Sequence, residues 1–226
     1  MVSLIYIFDE NAGDDNLSIK GELHKYLIKV RRHSLGDTLF FRNKADITKL
    51  HTYKISALEP RVVTLEHISS KVLEVKPTKD LHVAWCIIDS KSVEKVLPSL
   101  CEIGVSRISF IGCDRSQKNF KIDFKRYERI VEASMQQSGR TSIMTFDTYK
   151  NIATFIDEFP DTKVFDFTQK ILQDSSDFKR VLIGCEGGFS ENEKNFLESQ
   201  DVFRLNSKMV LRSESAVMAV TSKILL

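Results

Sequence analysis

The sequence predicts an α/β protein in two parts, an N-terminal β domain followed by a larger domain built on a parallel sheet. Short, closely spaced strands with turn signals fill the first 70 or so residues, which is typical of a small barrel or sandwich. Beyond them strands alternate with helices, the pattern of a parallel sheet. The chain has 226 residues, of which 42% are hydrophobic, so it can bury a core and is not a disordered or fibrous protein.

The N-terminal elements are predicted from runs rich in apolar and β-branched residues. Strands are expected over residues 4–8, 37–42, 52–58 and 61–68, with Pro60 between the last two. One helix is expected over residues 21–33, where Leu23, Leu27 and Ile28 form an apolar stripe. A charged connector around Pro77 follows, and we place the domain boundary between residues 72 and 73, giving domains 1–72 and 73–226.

The C-terminal elements begin with an almost continuous apolar run, as expected of a strand buried on both faces. Strands are predicted over residues 81–88, 107–111, 143–146, 163–167, 181–183 and 202–205. Helices are predicted over residues 92–103, 123–138, 190–199 and from 213 to the C-terminus. Gly104 is a stop signal, Ser190 with Glu193 forms a capping box, and Ser213 is expected to be the last helix's N-cap.

Cysteine and histidine spacing predicts neither a disulfide framework nor a metal site. Cys86, Cys101, Cys113 and Cys185 form no C-x-x-C pair, so we expect buried free thiols. The five histidines have no metal-ligand spacing. No apolar run reaches the roughly 20 residues of a membrane helix, and the N-terminus lacks a basic segment. We therefore expect an intracellular, cytoplasmic protein with no metal and no membrane partner.

Charge is unevenly distributed although the net charge is only +2. Residues 19–61 hold ten Lys or Arg against four Asp or Glu, and residues 115–140 hold seven against three. Residues 147–201 hold six against twelve. This polarity indicates a surface that faces a polyanion, or a solvated charged face with no partner.

Three segments could carry chemistry. Residues 181–190, VLIGCEGGFS, run from a buried strand through glycines into a capped helix, which suggests a ligand site lined by backbone or a tight turn. The spacing is not that of a P-loop. Residues 205–216 place Arg212 before a helix start, where it could reach an anion or form a surface salt bridge. Residues 136–140, QQSGR, end a helix and could be only its C-cap.

These segments, in this order, with Glu102-Ile-Gly-Val105 and Asp114-Arg-Ser116 before them, resemble the ribosomal RNA small-subunit methyltransferase E family of the SPOUT superfamily. The resemblance covers nearly the whole chain and implies a PUA-like β-barrel followed by an α/β domain with a deep trefoil knot. This sequence departs from the usual family pattern at three places, which affect the expected cofactor contacts more than the expected class of activity. Cys185 replaces a usual Pro, Asn206-Ser207 a usual Leu-Gly, and Arg31 a usual Leu.

The resemblance implies methyl transfer from S-adenosylmethionine to N3 of a uridine in 16S ribosomal RNA. Arg212 is the first candidate to stabilise charge on the base, Arg140 the second, and Glu186 could orient donor or base. The implied cofactor-binding residues are Phe165, Phe167, Thr168, Ile183, Gly184, Glu186, Gly187, Gly188, Leu205, Asn206, Ser207, Met209, Val210, Leu211 and Ser213. The implied RNA-binding residues are Lys25, Lys29, Arg31, Arg32, Arg42 and Arg115.

The implied partner is 16S ribosomal RNA within the small ribosomal subunit, and the implied assembly is a homodimer. Its interface would include the C-terminal helix, through Val217, Val220, Ile224 and Leu225. Two other functions remain open: an RNA-binding protein of the same fold that has lost activity, and an unrelated nucleotide-binding α/β enzyme.

Overall fold

The computed structural model describes residues 5–117, 121–173 and 178–226. It divides into two compact units, one of residues up to Val75 together with Gln136–Thr141, the other of Lys76–Met135 and Ser142–Leu226. Leu4, the first residue of the strand predicted over 4–8, lies outside the described residues. No helix in the described part of the chain is both long enough and apolar enough to span a membrane.

The first unit is a curled five-stranded sheet. Its strands are β1 (Ile7–Phe8), β2 (Asn16–Lys20), β3 (Thr38–Asn43), β4 (Asp46–Leu58) and β5 (Val62–Val72), in the order β1-β3-β4-β5-β2. All neighbours are antiparallel except β1 and β3. The core beneath them is apolar, and Phe41, Val63 and Leu65 are fully buried in it. The sheet matches the predicted class, and β2 was missed because its NLSIK run is short and half polar.

The predicted helix over residues 21–33 is shorter and of mixed type. An α-helix, α1 (Gly21–Lys25), continues as a π-helix over Tyr26–Val30, in which the Arg31 N–H donates to the Tyr26 carbonyl at 2.9 Å. Leu27 is buried in the core and Leu23 and Ile28 pack against it, as the apolar stripe predicts. The predicted helix is therefore present over residues 21–30, three residues shorter than predicted, and its second half is a π-helix.

Arg42 is part of the core of this unit, and its assignment to RNA is wrong. The side chain lies on β3 with 1% of its surface exposed. Its guanidinium donates to the carbonyls of Ile47 at 2.7 Å and Leu73 at 2.9 Å, and it stacks over the Tyr6 ring. Because the guanidinium is buried and two of its nitrogens donate to backbone carbonyls, it is not available to phosphates.

The second unit has a six-stranded parallel sheet. Its strands are β6 (His82–Cys86), β7 (Arg107–Ile111), β8 (Thr145–Tyr149), β9 (Lys163–Phe165), β10 (Arg180–Ile183) and β11 (Val202–Phe203). Their order is β11-β9-β10-β6-β7-β8. On one side of β6 the sheet continues with β7 and β8. On its other side it continues with β10, β9 and β11. The direction of strand addition therefore reverses between β6 and β10.

The described residues of the second unit form five helices, of which four match predicted helices. They are α2 (Ser90–Ile103), α3 (Phe124–Ser138), α4 (Ile152–Glu158), α5 (Glu191–Leu197) and α6 (Ser213–Leu225). Gly104 ends α2 in the left-handed conformation, at φ 114°, which confirms its predicted role. Both capping-box hydrogen bonds form between Ser190 and Glu193. The sequence analysis did not predict α4, which is short.

A disulfide joins Cys86 to Cys113, so the prediction of four free thiols is wrong for this pair. Cys86 ends β6 and is in register with Ile111 of β7, and Cys113 follows two residues later. Neighbouring parallel strands therefore bring together two cysteines that are 27 residues apart in the sequence. Cys101 and Cys185 are buried free thiols, as predicted.

Interior packing also accounts for the apolar face of the C-terminal helix. Val217, Val220, Ile224 and Leu225 are all at most 9% exposed, and α6 packs against α2 within the same unit. Their assignment to a dimer interface is therefore wrong, because the same protomer already covers them.

His82, at the start of β6, is a titratable group that is buried in the sheet. Its ring Nε2 lies 2.6 Å from the Ser109 hydroxyl, and the rings of Phe155 and Phe159 pack against it. Desolvation lowers the pKa of His82 to about 4, and the positive charge of Arg107 adds to the effect. The native histidine is therefore neutral at pH 5, whereas the unfolded chain takes up a proton near pH 6.5.

We predict that His82 makes the protein less stable as the pH falls from 6.5 to 4.5. The unfolded state binds more protons in that window, so the free energy of unfolding decreases with decreasing pH, by about 2 kcal/mol from this group. In His82→Gln this part of the pH dependence is lost, whatever the variant's stability at pH 7.5. Urea unfolding at several pH values measures it, and parallel curves for variant and wild type would contradict the assignment.

We predict that Arg42→Met lowers the free energy of unfolding by about 2–4 kcal/mol, because two buried carbonyls lose their donors. Urea denaturation measures the loss. Lys54→Met, at an exposed position on β4, is the matched control and should change stability by less than about 0.5 kcal/mol. An Arg42→Met variant with the wild-type free energy of unfolding would contradict the structural role of Arg42 in the core.

Candidate functional site

A cavity of about 210 Å³ opens at the carboxyl ends of β9 and β10 in the second unit. This is the edge at which parallel α/β sheets bind ligands. Three segments form its walls: the end of β9, the glycine-rich turn after β10, and the segment before α6. The lining residues are Phe165, Asp166, Phe167, Ile183, Gly184, Cys185, Glu186, Gly187, Gly188, Phe189, Arg204, Leu205, Ser207, Met209, Val210, Leu211, Ser213 and Ala216.

The glycine-rich turn is closed by a backbone hydrogen bond and depends on one left-handed glycine. The Gly188 N–H donates to the Cys185 carbonyl at 2.9 Å, and Gly188 has the left-handed φ of 64° that favours glycine. A Cβ on Gly184 would lie 3.5 Å from the Gly188 Cα and the Phe189 ring. The turn therefore exposes backbone to the cavity while the Phe189 side chain packs beneath it, 2% exposed.

The loop that follows β7, two strands away from β10 in the sheet, contacts the same turn. The Arg115 guanidinium donates to the Gly187 carbonyl at 2.7 Å, and the Asp114 N–H donates to the Glu193 carboxylate at 2.9 Å. The Ser190 hydroxyl donates to the Asp114 carboxylate. The capping box that starts α5 thus also fastens this loop, and Arg115 lies at the glycine-rich turn.

The segment before α6 is fastened from beneath by Ser213. Arg212, not Ser213, is the N-cap residue, and it makes no side-chain capping bond, so the predicted cap was wrong. The Ser213 side chain points inward, is 4% exposed, and donates to the Gly184 carbonyl at 2.6 Å. It also accepts a hydrogen bond from the Trp85 indole at 2.8 Å.

Thirteen of the fifteen residues predicted to bind the cofactor line this one cavity. Thr168 and Asn206 do not; Thr168 lines a shallower depression beside α5. The list of predicted residues omitted Asp166, Cys185, Phe189, Arg204 and Ala216. The first four lie next to predicted residues and could have been found by continuity along the loops, whereas Ala216 lies one turn into α6, after Ser213.

The cavity combines apolar walls with a few charged groups. Phe167, Met209 and Val210 are more than three-quarters exposed at its mouth and offer flat apolar surface. Asp166 and Glu186 contribute carboxylates, which suit hydroxyls or a cationic centre. Burial raises the pKa of the Cys185 thiol, so this side chain is a neutral wall and not a nucleophile. The arrangement suits a ligand with a planar apolar ring and a polar, positively charged part.

The three candidate catalytic residues lie in different places. Glu186 is exposed on the cavity wall. Arg212 is exposed between two lining residues, Leu211 and Ser213, but its side chain lines the groove between α2 and α6 with Lys95 and Met218. Arg140 belongs to the first unit and is 4% exposed there, and its carbonyl accepts from the Tyr6 hydroxyl at 2.8 Å.

The remaining candidate RNA-binding residues are all exposed. Lys25 pairs with Glu22, and Arg31 stacks on Tyr26 and donates to its hydroxyl. Lys29 lies in the last turn of the π-helix, and Arg32 follows that helix with a left-handed φ of 59°. Within the described ranges, no group of three or more His, Cys, Asp or Glu could hold a metal ion.

Comparison with known proteins agrees with this geometry. Residues 74–225 match the family model of the RNA methyltransferase domain. The chain is 34% identical over 221 residues to ribosomal RNA small subunit methyltransferase E of Helicobacter pylori, covering 96% of this chain and 97% of that protein. It is 26% identical to the protein of the same name from Aquifex aeolicus, with 96% and 97% covered.

A solved structure shows the same fold. The ribosomal RNA small subunit methyltransferase E of Neisseria gonorrhoeae, bound to S-adenosyl methionine, superposes with a TM-score of 0.73 at 18% identity, covering 96% of this chain and 95% of the other. With a family model that spans the second unit and a relative matched from end to end, this chain belongs to the ribosomal RNA small-subunit methyltransferase E family of RNA methyltransferases.

Proposed function

We propose that the protein transfers the methyl group of S-adenosylmethionine to N3 of a uridine in 16S ribosomal RNA. The observation that carries the proposal is the cavity, because its walls come from the two segments whose motifs resemble the family. The name of the Helicobacter pylori relative supports the small-subunit RNA as substrate, and the bound ligand of the Neisseria gonorrhoeae protein supports the cofactor.

The cavity residues fit S-adenosylmethionine. The apolar side chains of Phe165, Leu205 and Leu211 suit the adenine ring, and the exposed backbone of the glycine-rich turn suits its ring nitrogens. The carboxylates of Asp166 and Glu186, which also line the cavity, suit the ribose hydroxyls and the positive charge. When bound, S-adenosylmethionine supplies an electrophilic methyl group on a sulfonium.

Uridine N3 carries a proton at neutral pH and becomes a nucleophile only when it loses that proton. Negative charge then develops on the base carbonyl oxygens, and a fixed guanidinium near the cavity would stabilise it. We assign this role to Arg212, which lies between two lining residues, with Glu186 orienting donor or base. Arg140 is the second candidate, although its burial in the first unit favours a structural role.

The basic segment of the first unit is proposed to bind RNA phosphates, through Lys25, Lys29, Arg31 and Arg32, with Arg115 beside the cavity. We propose residues 1–72 as a PUA-like RNA-binding domain and residues 73–226 as a SPOUT domain with a trefoil knot, on the family resemblance. The proposed homodimer would use the part of α6 that faces the α2 groove, at Met218, Ala219 and Ser222. A catalytically inactive RNA-binding protein is disfavoured, because the cavity walls are complete despite Cys185 and Asn206-Ser207.

We predict that Arg212→Ala lowers the single-turnover methylation rate about 100-fold to 1,000-fold and weakens binding of either substrate much less, because the charge appears only during the chemical step. Arg212→Lys should recover little, since a point charge cannot replace the planar guanidinium. Lys95→Ala, in the same groove, is the matched control and should keep nearly the wild-type rate. A single-turnover rate for Arg212→Ala within about threefold of wild type would show that another residue stabilises the charge on the base.

We predict that replacing Lys29, Arg31 and Arg32 by Ala weakens RNA binding and reduces the salt dependence of log Kd, by a slope of about 2 for three lost phosphate contacts. Affinity for S-adenosylmethionine should not change. The control replaces three exposed lysines of the same unit, Lys49, Lys54 and Lys71. If both triple variants flatten the slope equally, the first segment has no special role in RNA binding.

A further inference from the structure

One hydrogen bond joins two of the three chain segments that form the cavity walls. The glycine-rich turn starts at Gly184, directly after β10, and the second segment ends at Ser213, where α6 starts. The Ser213 hydroxyl lies 2.6 Å from the Gly184 carbonyl oxygen, across 29 residues of sequence. Both residues line the cavity, so this bond lies in its wall.

The direction of that hydrogen bond is fixed by a third residue, Trp85. Its indole N–H can only donate, and it lies 2.8 Å from the Ser213 oxygen. The Gly184 carbonyl can only accept. The Ser213 oxygen therefore accepts a hydrogen bond from the indole N–H, and the serine hydroxyl must donate its own hydrogen to the Gly184 carbonyl. A hydroxyl that could otherwise rotate is held in one orientation.

These two hydrogen bonds fix the orientation of one peptide group in the cavity wall, the one between Gly184 and Cys185. In a trans peptide the carbonyl and the following N–H point in opposite directions. Tying the Gly184 carbonyl to Ser213 therefore sets the direction of the Cys185 N–H, within the turn that exposes its backbone to the cavity.

Trp85 lies where such a restraint is most effective. It is fully buried, and it is in register with Ile183, the residue before Gly184, on the neighbouring strand. β6 and β10 are the two strands between which the direction of strand addition reverses. Trp85 does not line the cavity, and nothing in the sequence motifs singles it out, because it lies in an apolar strand run that suggests only core.

We infer that Trp85 is a positioning residue for cofactor binding: through Ser213 it fixes the Gly184–Cys185 peptide, and it thereby raises affinity for S-adenosylmethionine without acting in methyl transfer. The inference rests on the proposed function, because it assigns the cavity to that cofactor. It also makes the only tryptophan of the chain a reporter of the site.

The test begins with calorimetric titration of the wild-type protein with S-adenosylmethionine. If the wild type does not bind, the proposed function fails, and with it the basis of this inference. If it binds, Trp85→Phe, which keeps an aromatic ring but has no donor, should raise the Kd about threefold to tenfold, the range expected for one net hydrogen bond. The KM for S-adenosylmethionine should rise similarly, while kcat and the KM for RNA stay within about twofold.

Ser213 provides the coupling test. Ser213→Ala should raise the Kd at least as much as Trp85→Phe, and Ser213→Thr, which keeps the hydroxyl, should restore it to within about threefold of wild type. In the Ser213→Ala background, Trp85→Phe should cause little further change, because the residue through which Trp85 acts is already gone. Fully additive effects on Kd would overturn the inference.

Ser109→Ala is the matched control, since it removes another fully buried serine hydroxyl from a neighbouring strand of the sheet, one bonded to His82 away from the cavity. It should lower the melting temperature and leave the Kd unchanged. A Trp85→Phe variant that behaves in the same way, less stable but with wild-type affinity, would show that Trp85 is only a core residue.

Fluorescence keeps the inference testable even if Trp85→Phe fails to fold. In the wild type all tryptophan emission comes from Trp85, one hydrogen bond away from a cavity residue. Titration with S-adenosylmethionine should change that emission, with a midpoint equal to the calorimetric Kd. Saturating binding by calorimetry with no change in tryptophan emission would overturn it.

Discussion

The hydrogen bond from the Ser213 hydroxyl to the Gly184 carbonyl oxygen holds the cavity together. This bond joins two of the three walls, the glycine-rich turn and the segment before α6, which both have little regular secondary structure. Because Ser213 is buried under them, both segments are fastened to the parallel sheet at the point where strand addition reverses. The positions of these two cavity walls are therefore set by the sheet to which they are bonded.

The outer side of the glycine-rich turn is held by different chemistry. Two charged residues of the loop after β7, Asp114 and Arg115, bond to the start of α5 and to Gly187. The disulfide between Cys86 and Cys113 fixes the beginning of that loop to β6. The turn is thus fastened by neutral buried bonds on one side and by charge-assisted bonds at the surface on the other, where water weakens each of them.

The first unit separates its charges by burial. Arg42 is enclosed and serves two backbone carbonyls, whereas Lys29, Arg31 and Arg32 remain on the surface around the π-helix. An uncompensated cation in the core would be costly, so the strands around Arg42 supply acceptors for its guanidinium. The surface group is left to interact with a polyanion, and this division of roles supports the proposed RNA-binding function of the unit.

The sequence alone determined the two-part α/β architecture, because strand and helix periods, Gly104 and the Ser190–Glu193 capping box are local signals. It also determined the family and most of the cavity wall, since the glycine-rich turn and the segment before α6 are continuous motifs. Only the tertiary structure decided what residues do when their partners are distant in sequence. Arg42 and Val217 look like surface and interface residues until their buried contacts are known, and Cys86 finds Cys113 only through strand register. Trp85 meets Ser213 across 128 residues, a contact that no local pattern encodes because it depends on which strands the fold makes neighbours.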